Sequence, residues 1–494
     1  MILSLLAAAA LALPQGEAPR VLYADRVQVG DGTVLEGAVI TLADGRIQSV
    51  ARGPAPEGAL HVPGAWLTPG LVDACSTMGV TAATTEESKE ATPRIRIAET
   101  ADLDSAAFRR ALENGITTAF LTPDSVNCIG GLGALVKTAG GPVADLFAPE
   151  ASGARVLDPE AALKLTLGTE TSAGNGRSGR NGPRDLFGRR PTTRMSAVWI
   201  LRREFYRARA WMEARERGEA PEDPDLEVLA RALRGEIPVR VQARRAHDIQ
   251  TALRLQEEFG WPRLVIEEGQ EAWRIRHVLQ EHPVPLVCAP LYDRRSRGLV
   301  QGPTAEDLAA WVRPPAVCCE DLGHHDHDLG AAFDEIYSIE TESGLLPLSD
   351  GVLGVLLALA SPRYGWESAS PVAARGLPLG RRADSGKPTP AQPALLAAAG
   401  LPFVLASVEA HDTPESAGSL IQQARTAVAW GLDPARALQA VTSGPARLLG
   451  LDERLGLVAA GRDADLVLWS GDPLDAASRP LLVLVDGRVA VDRR

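Results

Sequence analysis

The two ends of the chain constrain its fold most. Residues 21–24, 27–29, 38–42 and 46–50 are short runs with alternating apolar side chains, punctuated by Asp31-Gly32 and Asp44-Gly45. Asp-Gly between such runs signals a hairpin, because glycine accepts the positive φ that the tight turn requires. The C-terminus shows the same pattern, with apolar runs at 465–469 and 481–485, then the turn Asp486-Gly487 and a last run at 488–491. Neither end has enough strands for a stable sheet of its own. The pattern therefore predicts one small β-sandwich built from both termini, so that everything in between must begin and finish beside it.

The intervening chain alternates short apolar strands with amphipathic helices. Strands are predicted at 115–121, 239–243, 263–267, 284–288 and 402–407, and helices near 104–114, 246–259 and 270–280. Repeated strand–helix units imply parallel strands. The length available suits a (β/α)8 TIM-like barrel with insertions, giving an α/β protein overall. An open doubly wound sheet is the alternative, but no G-x-G-x-x-G or Walker pattern follows any strand. Residues 170–192, 291–330 and 361–393 read as long loops, and the charged stretch 194–235 as an exposed helical hairpin. The expected organisation is a signal peptide at 1–18, β-sandwich at 19–68 and 453–494, and barrel at 69–452.

Charge and cysteine usage exclude several function classes. Lys plus Arg total 51 against 63 Asp plus Glu, a net charge of −12, which disfavours nucleic acid and anionic lipid as partners. Residues 1–13 form an apolar run ended by Pro14. It is shorter than the ~20 residues a bilayer span needs and fits a secretory signal. The expectation is an exported protein, periplasmic or extracellular, with no membrane attachment after cleavage. The five cysteines are scattered and odd in number, and there is no C-x-x-C pair, so neither a disulfide framework nor a structural zinc site is expected.

Residues 64–79, GAWLTPGLVDACSTMG, resemble the first barrel strand of the amidohydrolase superfamily, which reads TPGL-(I/V)-DAH-x-H. Residues 437–451 and 454–469 look like that family's C-terminal pattern, ending in G-(K/R)-DADLV. Residues 127–140 and 190–195 are similar to an exported bacterial branch related to imidazolonepropionases. The resemblance implies a metal-dependent hydrolase barrel that cleaves C–N bonds, of cyclic amide type, in small molecules. In that chemistry a bound metal lowers the pKa of its water to about 7 and supplies hydroxide.

The family's metal ligands are substituted. Cys75 and Thr77 stand for the first-strand histidines, Gln242 for the fifth-strand histidine and Glu268 for the sixth-strand histidine. Val408 stands for the eighth-strand aspartate, with Glu409 one residue on. One reading is a lost metal, with Cys75, Thr77, Gln242, Glu268 and Glu409 lining an inherited ligand pocket, no cofactor, and little ancestral activity. The alternative is an active hydrolase with a rearranged site holding zinc or another divalent metal, or a metal-free one around Glu268, Glu409, His411 and Asp412. His411-Asp412 would then be a general-base pair, because histidine titrates near neutrality. Lys137 is a candidate bridging lysine or a solvated strand end, and His324-His325-Asp326-His327-Asp328 a surface metal binder. The expected partner is a small molecule at the barrel mouth, with a homo-oligomer or a paralogous subunit as further partner.

Overall fold

A computed structural model of the chain describes residues 21–80, 84, 86, 88–140, 156–168, 170–172, 190–291, 389–408 and 419–494. Glu409, His411, Asp412, the 324–328 cluster, Cys318, Cys319 and the predicted signal lie outside the described residues.

The termini join in one hydrogen-bonded sheet. Its strands are β1 (Val21–Gln28), β2 (Val34–Ala43), β3 (Arg46–Arg52), β4 (Leu60–His61) and β5 (Trp66–Pro69) from the N-terminal side. The barrel strands follow: β6 (Leu71–Ser76), β7 (Ile116–Leu121), β8 (Ile129–Lys137), β9 (Val156–Thr166), β10 (Val239–Gln242), β11 (Leu264–Glu267), β12 (Leu286–Cys288) and β13 (Phe403–Leu405). The C-terminal side returns β14 (Leu466–Trp469), β15 (Pro480–Val485) and β16 (Arg488–Asp492) to the terminal sheet, in the order β16-β15-β14-β5-β1-β2-β3 with β4 beside β1. The seam between the two ends is the β5–β14 pairing, closed by the indole N–H of Trp469 donating to Thr68 Oγ1 at 2.9 Å. Arg46 also bridges to Asp463, which wraps β3 back toward the turn before β14. The sheet encloses an apolar core that includes Val27, Ile40, Leu67, Leu466 and Leu484.

The second sheet runs β13-β12-β11-β10-β9-β8-β7-β6 and rolls into a barrel. The N–H of Val408 donates to the carbonyl of Cys75 at 2.9 Å, tying the end of β13 to β6. One strand departs from the expected all-parallel pattern, since β8 is antiparallel to both β7 and β9. Only residues 122–128 separate β7 from β8, which is too little chain for a helical crossover, so the strand must turn straight back.

Helices cover the barrel's outside: α1 (Ala106–Glu113), α2 (Arg194–Glu216), α3 (Pro224–Arg234), α4 (Ala246–Phe259), α5 (Arg276–Glu281), α6 (Gln392–Ala398), α7 (Ser419–Ala429), α8 (Pro434–Gln439) and α9 (Ser443–Leu448). Their boundaries follow local chemistry. Asp223 caps α3 by accepting from the N–H groups of Asp225 and Leu226, Pro224 occupies the first turn, and Gly235 ends the helix in the left-handed conformation. The predicted 270–280 helix instead begins as a 3-10 turn at Ala272–Ile275 before α5. The hairpin of α2 and α3 is exposed only on its outer face, because Ile200, Leu201, Phe205, Leu226 and Leu229 join the main core. Among the described residues no helix is long and apolar enough to cross a membrane.

Strand alternation separates inside from outside. Phe403 and Leu405 of β13, Leu286 and Cys288 of β12, and Leu264 and Ile266 of β11 face the helices. Val404, Ala406, Val287, Ala289 and Val265 face inward, where they meet Ala74 and Cys75. The same alternation decides which polar side chains reach the barrel interior.

Barrel and terminal sheet are locked by a charge. Lys137 ends β8, and the antiparallel course of that strand carries it to the end of the barrel that abuts the terminal sheet. It is neither a mouth ligand nor a solvated strand end. Its Nζ donates to Asp463 at 2.9 Å, to Asp465 at 3.1 Å, and to Asp486. Burial would lower its pKa, but the surrounding carboxylates outweigh that and raise it above the ordinary lysine range. Removing one partner of a buried ion cluster leaves uncompensated charge, at a cost of about 3–5 kcal/mol. Lys137→Ala is therefore expected to lower the unfolding free energy by about that much, read from urea unfolding midpoints; an unchanged midpoint would contradict the lock.

Candidate functional site

Inward alternation places charged residues inside the barrel at its upper level. Lys164 of β9, Arg240 of β10 and Glu267 of β11 are 2%, 2% and 0% exposed. Register sets them side by side, with Arg240 opposite Lys164 and Gln242 opposite Glu267. The two oxygens of Glu267 are divided: one accepts from Lys164 Nζ and the other from Arg240 Nε. Arg240 also donates to the carbonyl of Ala74 at 2.6 Å, and its guanidinium lies 3.9 Å from the centroid of the Phe120 ring. The ring can reach that position because residue 133 is glycine, where a Cβ would collide with it.

The charges tune one another. Burial alone would raise the Glu267 pKa, but Lys164 and Arg240 overcome it and hold the carboxyl at about 2. Burial would lower Lys164, and Glu267 overcomes it and raises the amine. Cys75 behaves oppositely: burial, reinforced by Glu267, pushes its thiol well above the usual range despite Lys164 and Arg240. Cys75 is thus a neutral thiol in the electrostatic reach of this triad.

A second set lies at the mouth. Glu268 follows β11 with φ of 53°, which reverses the alternation and turns its carboxylate toward Gln242, whose Nε2 donates to it at 2.8 Å. Arg244 Nε donates to the other oxygen of Glu268 at 2.8 Å, and its Nη1 donates to Glu170. Burial would lower the Arg244 pKa, and the two carboxylates outweigh it. Across the closure, buried Asp73 accepts from the N–H of Ser407 at 3.0 Å, from the Ser407 hydroxyl, and from the N–H of Cys75 at 3.3 Å. Val408 follows with φ of 53°, a strained conformation for a β-branched residue.

Of the sequence-predicted positions, Gln242 and Glu268 are in direct contact, and Cys75 lies beneath them in the reach of Glu267 and Glu268. Thr77 is half-buried just past β6, with its carbonyl accepting from the N–H of Val80 at 3.1 Å. Glu409, His411 and Asp412 follow β13 outside the described residues. His247-Asp248 is in the first turn of α4, where the Asp248 carboxylate accepts from Arg194 Nε at 3.1 Å.

Among the described residues the donor set does not fit a catalytic dication of the kind the sequence resemblance implies. Among the described residues no group of three or more His, Cys, Asp and Glu side chains could hold a metal ion. Glu267 and Glu268 are already engaged by cations, and Cys75 is protonated. Lys164, Arg240 and Arg244 each hold a carboxylate of Glu267, Glu268 or Glu170, and the buried Asp73 carboxylate is engaged by Ser407 and by the N–H of Cys75. Two unit charges 4 Å apart interact by about 4 kcal/mol at an effective dielectric of 20, and a dication doubles the repulsion from each neighbouring cation.

Sequence reasoning missed the charged interior. Lys164 in Leu-Lys-Leu-Thr, Arg240 in Val-Arg-Val-Gln and Glu267 in Val-Ile-Glu each carry the signal, a charge within a strand that the barrel buries on both faces.

Comparison with known proteins agrees with this architecture. Residues 384–490 match the amidohydrolase family model. The amidohydrolase tasK of Hapsidospora irregularis is 26% identical over 490 residues, 94% of this chain, and the chain spans only 40% of that protein's length. An adenine deaminase of Moorella thermoacetica is 39% identical over 87 residues, 17% of this chain and 14% of its own length. Among solved structures, an amidohydrolase from Thermotoga maritima superposes with a TM-score of 0.67 at 24% identity, covering 96% of this chain and all of that one. The fold is the amidohydrolase barrel with its accompanying sheet.

Glu267 gives the site a pH signature. Its folded pKa of about 2 lies below the unfolded value of about 4.3, so the folded state binds fewer protons. The stabilisation is complete above the unfolded pKa and is lost as pH falls from there through about 2. Glu267→Gln is expected to destabilise the protein at pH 7 by about 3–5 kcal/mol, because Lys164 and Arg240 remain buried without their counter-charge. The gap between wild type and variant should close as pH drops through that window, measured by urea unfolding at stepped pH. A gap independent of pH would refute the assignment.

Proposed function

We propose that this protein, amidohydrolase in fold and in the sequence of its C-terminal fifth, has exchanged the family's metal-dependent hydrolysis of C–N bonds for binding. One observation carries the reading: the buried Lys164–Glu267–Arg240 triad sits below the mouth, with Gln242, Glu268 and Arg244 bonded to one another above it. Groups so engaged cannot ligate a dication without first breaking charge pairs inside the barrel. The scaffold would serve as a receptor for a small molecule at the mouth, bounded by Cys75, Thr77, Gln242, Glu268 and Glu409, or as one subunit beside a second copy or a paralogue. The imidazolonepropionase-like lineage, export through a signal at residues 1–18 and a periplasmic or extracellular location belong to the same proposal.

A second reading is favoured by the backbone. Glu268 and Val408 both hold left-handed conformations immediately after barrel strands. Such strain persists where surrounding structure enforces it and clusters at functional sites. On this reading Glu268, Glu409, His411 and Asp412 form a rearranged hydrolytic site at the mouth, with zinc or without it.

Metal analysis of the purified full chain, equilibrated with zinc and then desalted, separates the readings. Binding alone predicts substoichiometric zinc, no hydrolysis of cyclic amides or dipeptides, and no change on His411→Ala. One zinc per chain that disappears in Glu268→Ala, or hydrolysis abolished by His411→Ala, would establish the second reading and end the first.

A further inference from the structure

The barrel's opposite end carries a cavity of about 730 Å³, within the range of small-molecule sites. It lies under the N-terminal ends of β11, β12 and β13 and is closed on one side by α8, α9 and the β1–β2 turn. Among the described residues three arginines line it, Arg263, Arg436 and Arg447, against a single carboxylate, Asp31. Arg263 and Arg447 form no ion pair among the described residues, and Arg436 makes one side-chain hydrogen bond, from Nη1 to Gln439 Oε1 at 3.2 Å. Asp31 is turned to its own loop, where Oδ1 accepts from the N–H of Thr33 at 2.8 Å. The rest of the wall is largely apolar, including Leu286, Phe403 and Leu448. Val265 and Val404, two inward-facing apolar residues, also line the cavity.

This concentration of unpaired positive charge is unusual in a chain of net charge −12. Other arginines on the protein's surface are mostly paired, as Arg202 is with Glu258, Arg234 with Glu227 and Glu236, and Arg494 with Asp492. Among the described residues the forked donors of Arg263 and Arg447 have no carboxylate partner, and they lie beside a concave apolar wall. Arginine in that setting can pair its fork of donors with two oxygens of a carboxylate or phosphate.

We propose that this cavity is a binding site for a small organic anion: a carboxylate or phosphate held by Arg263, Arg436 and Arg447, with an aliphatic or aromatic body on Phe403 and Leu448. It is independent of the mouth at the strand C-termini and does not rest on how that mouth functions. Because the arginines are solvent-accessible, each contributes modestly and affinity is weakened by salt.

Calorimetric titration of the full chain with phenyl phosphate and with benzoate tests this, with benzyl alcohol as the uncharged control. The expected result is saturable one-to-one binding of at least one anion, none of the alcohol, and loss of affinity at raised ionic strength. The arm that binds more tightly identifies the head group. Arg263→Ala combined with Arg447→Ala should weaken binding about tenfold or more, the equivalent of about 1.4 kcal/mol, with an unchanged melting temperature in the absence of ligand. Absence of saturation with either anion up to ~10 mM, where binding would be worth less than about 3 kcal/mol, overturns the proposal. Equal affinity in the double variant, or equal binding of benzyl alcohol, also overturns it.

Discussion

A carboxylate with no solvent exposure, shared between two cations, organises this barrel. Glu267 is tolerated inside only because Lys164 and Arg240 answer both of its oxygens, and they are tolerated only because Glu267 answers them. The three come from adjacent strands, so correct sheet register and correct charge pairing are the same event. A one-residue slip of β10 would turn Arg240 toward the helices and Val241 inward, stranding Glu267 without one partner. The mouth inherits this rigidity. Gln242 and Glu268 stand one step along the same strands, and their mutual orientation follows from the layer beneath.

The terminal sheet was legible because its turns announce themselves. Asp44-Gly45 and Asp486-Gly487 both have positive φ at each residue, 51° and 75° in the first and 49° and 68° in the second, which is why these two dipeptides recur between apolar runs. The parallel strands were legible wherever a helix followed a short apolar run, as at β10 with α4. The turn-back at β8 was not, because reversal is a property of a short link rather than of the strand. Strand β9 was hidden by Asp158-Pro159-Glu160 within it, residues that ordinarily mark a loop.

Flanking motifs gave positions for the candidate site, and the charges around them stayed hidden. Alignment to a barrel strand found Cys75, Gln242 and Glu268 from flanking motifs, and the structure brings them into one neighbourhood. Arg240 sat in plain view within Val-Arg-Val-Gln, but that alternation also describes a strand with one wet face. Only barrel closure, which dries the second face, reveals that its charge must be matched from β11. Lys137 shows the same limit from the other side. A lysine ending an apolar run looks solvated until a terminal sheet, built from residues more than 300 positions later, covers it with Asp463, Asp465 and Asp486.

Buried charge clusters are weak evidence for stability, since an apolar replacement of equal volume often does as well. What they change is the set of single steps open to the chain. Introducing histidine at Gln242 would leave Arg240 and Arg244 on the same strand and its extension, still paired with Glu267 and Glu268. Removing Arg240 first would expose Glu267 to a half-answered burial, and removing Glu267 would strand two cations. On the binding reading proposed above, either removal on the way to a metal centre passes through an intermediate with unmatched charge in a dry interior, at a cost of about 3–5 kcal/mol. The left-handed turns at Glu268 and Val408 set how the chain leaves β11 and β13 at the mouth, directly above these buried charges.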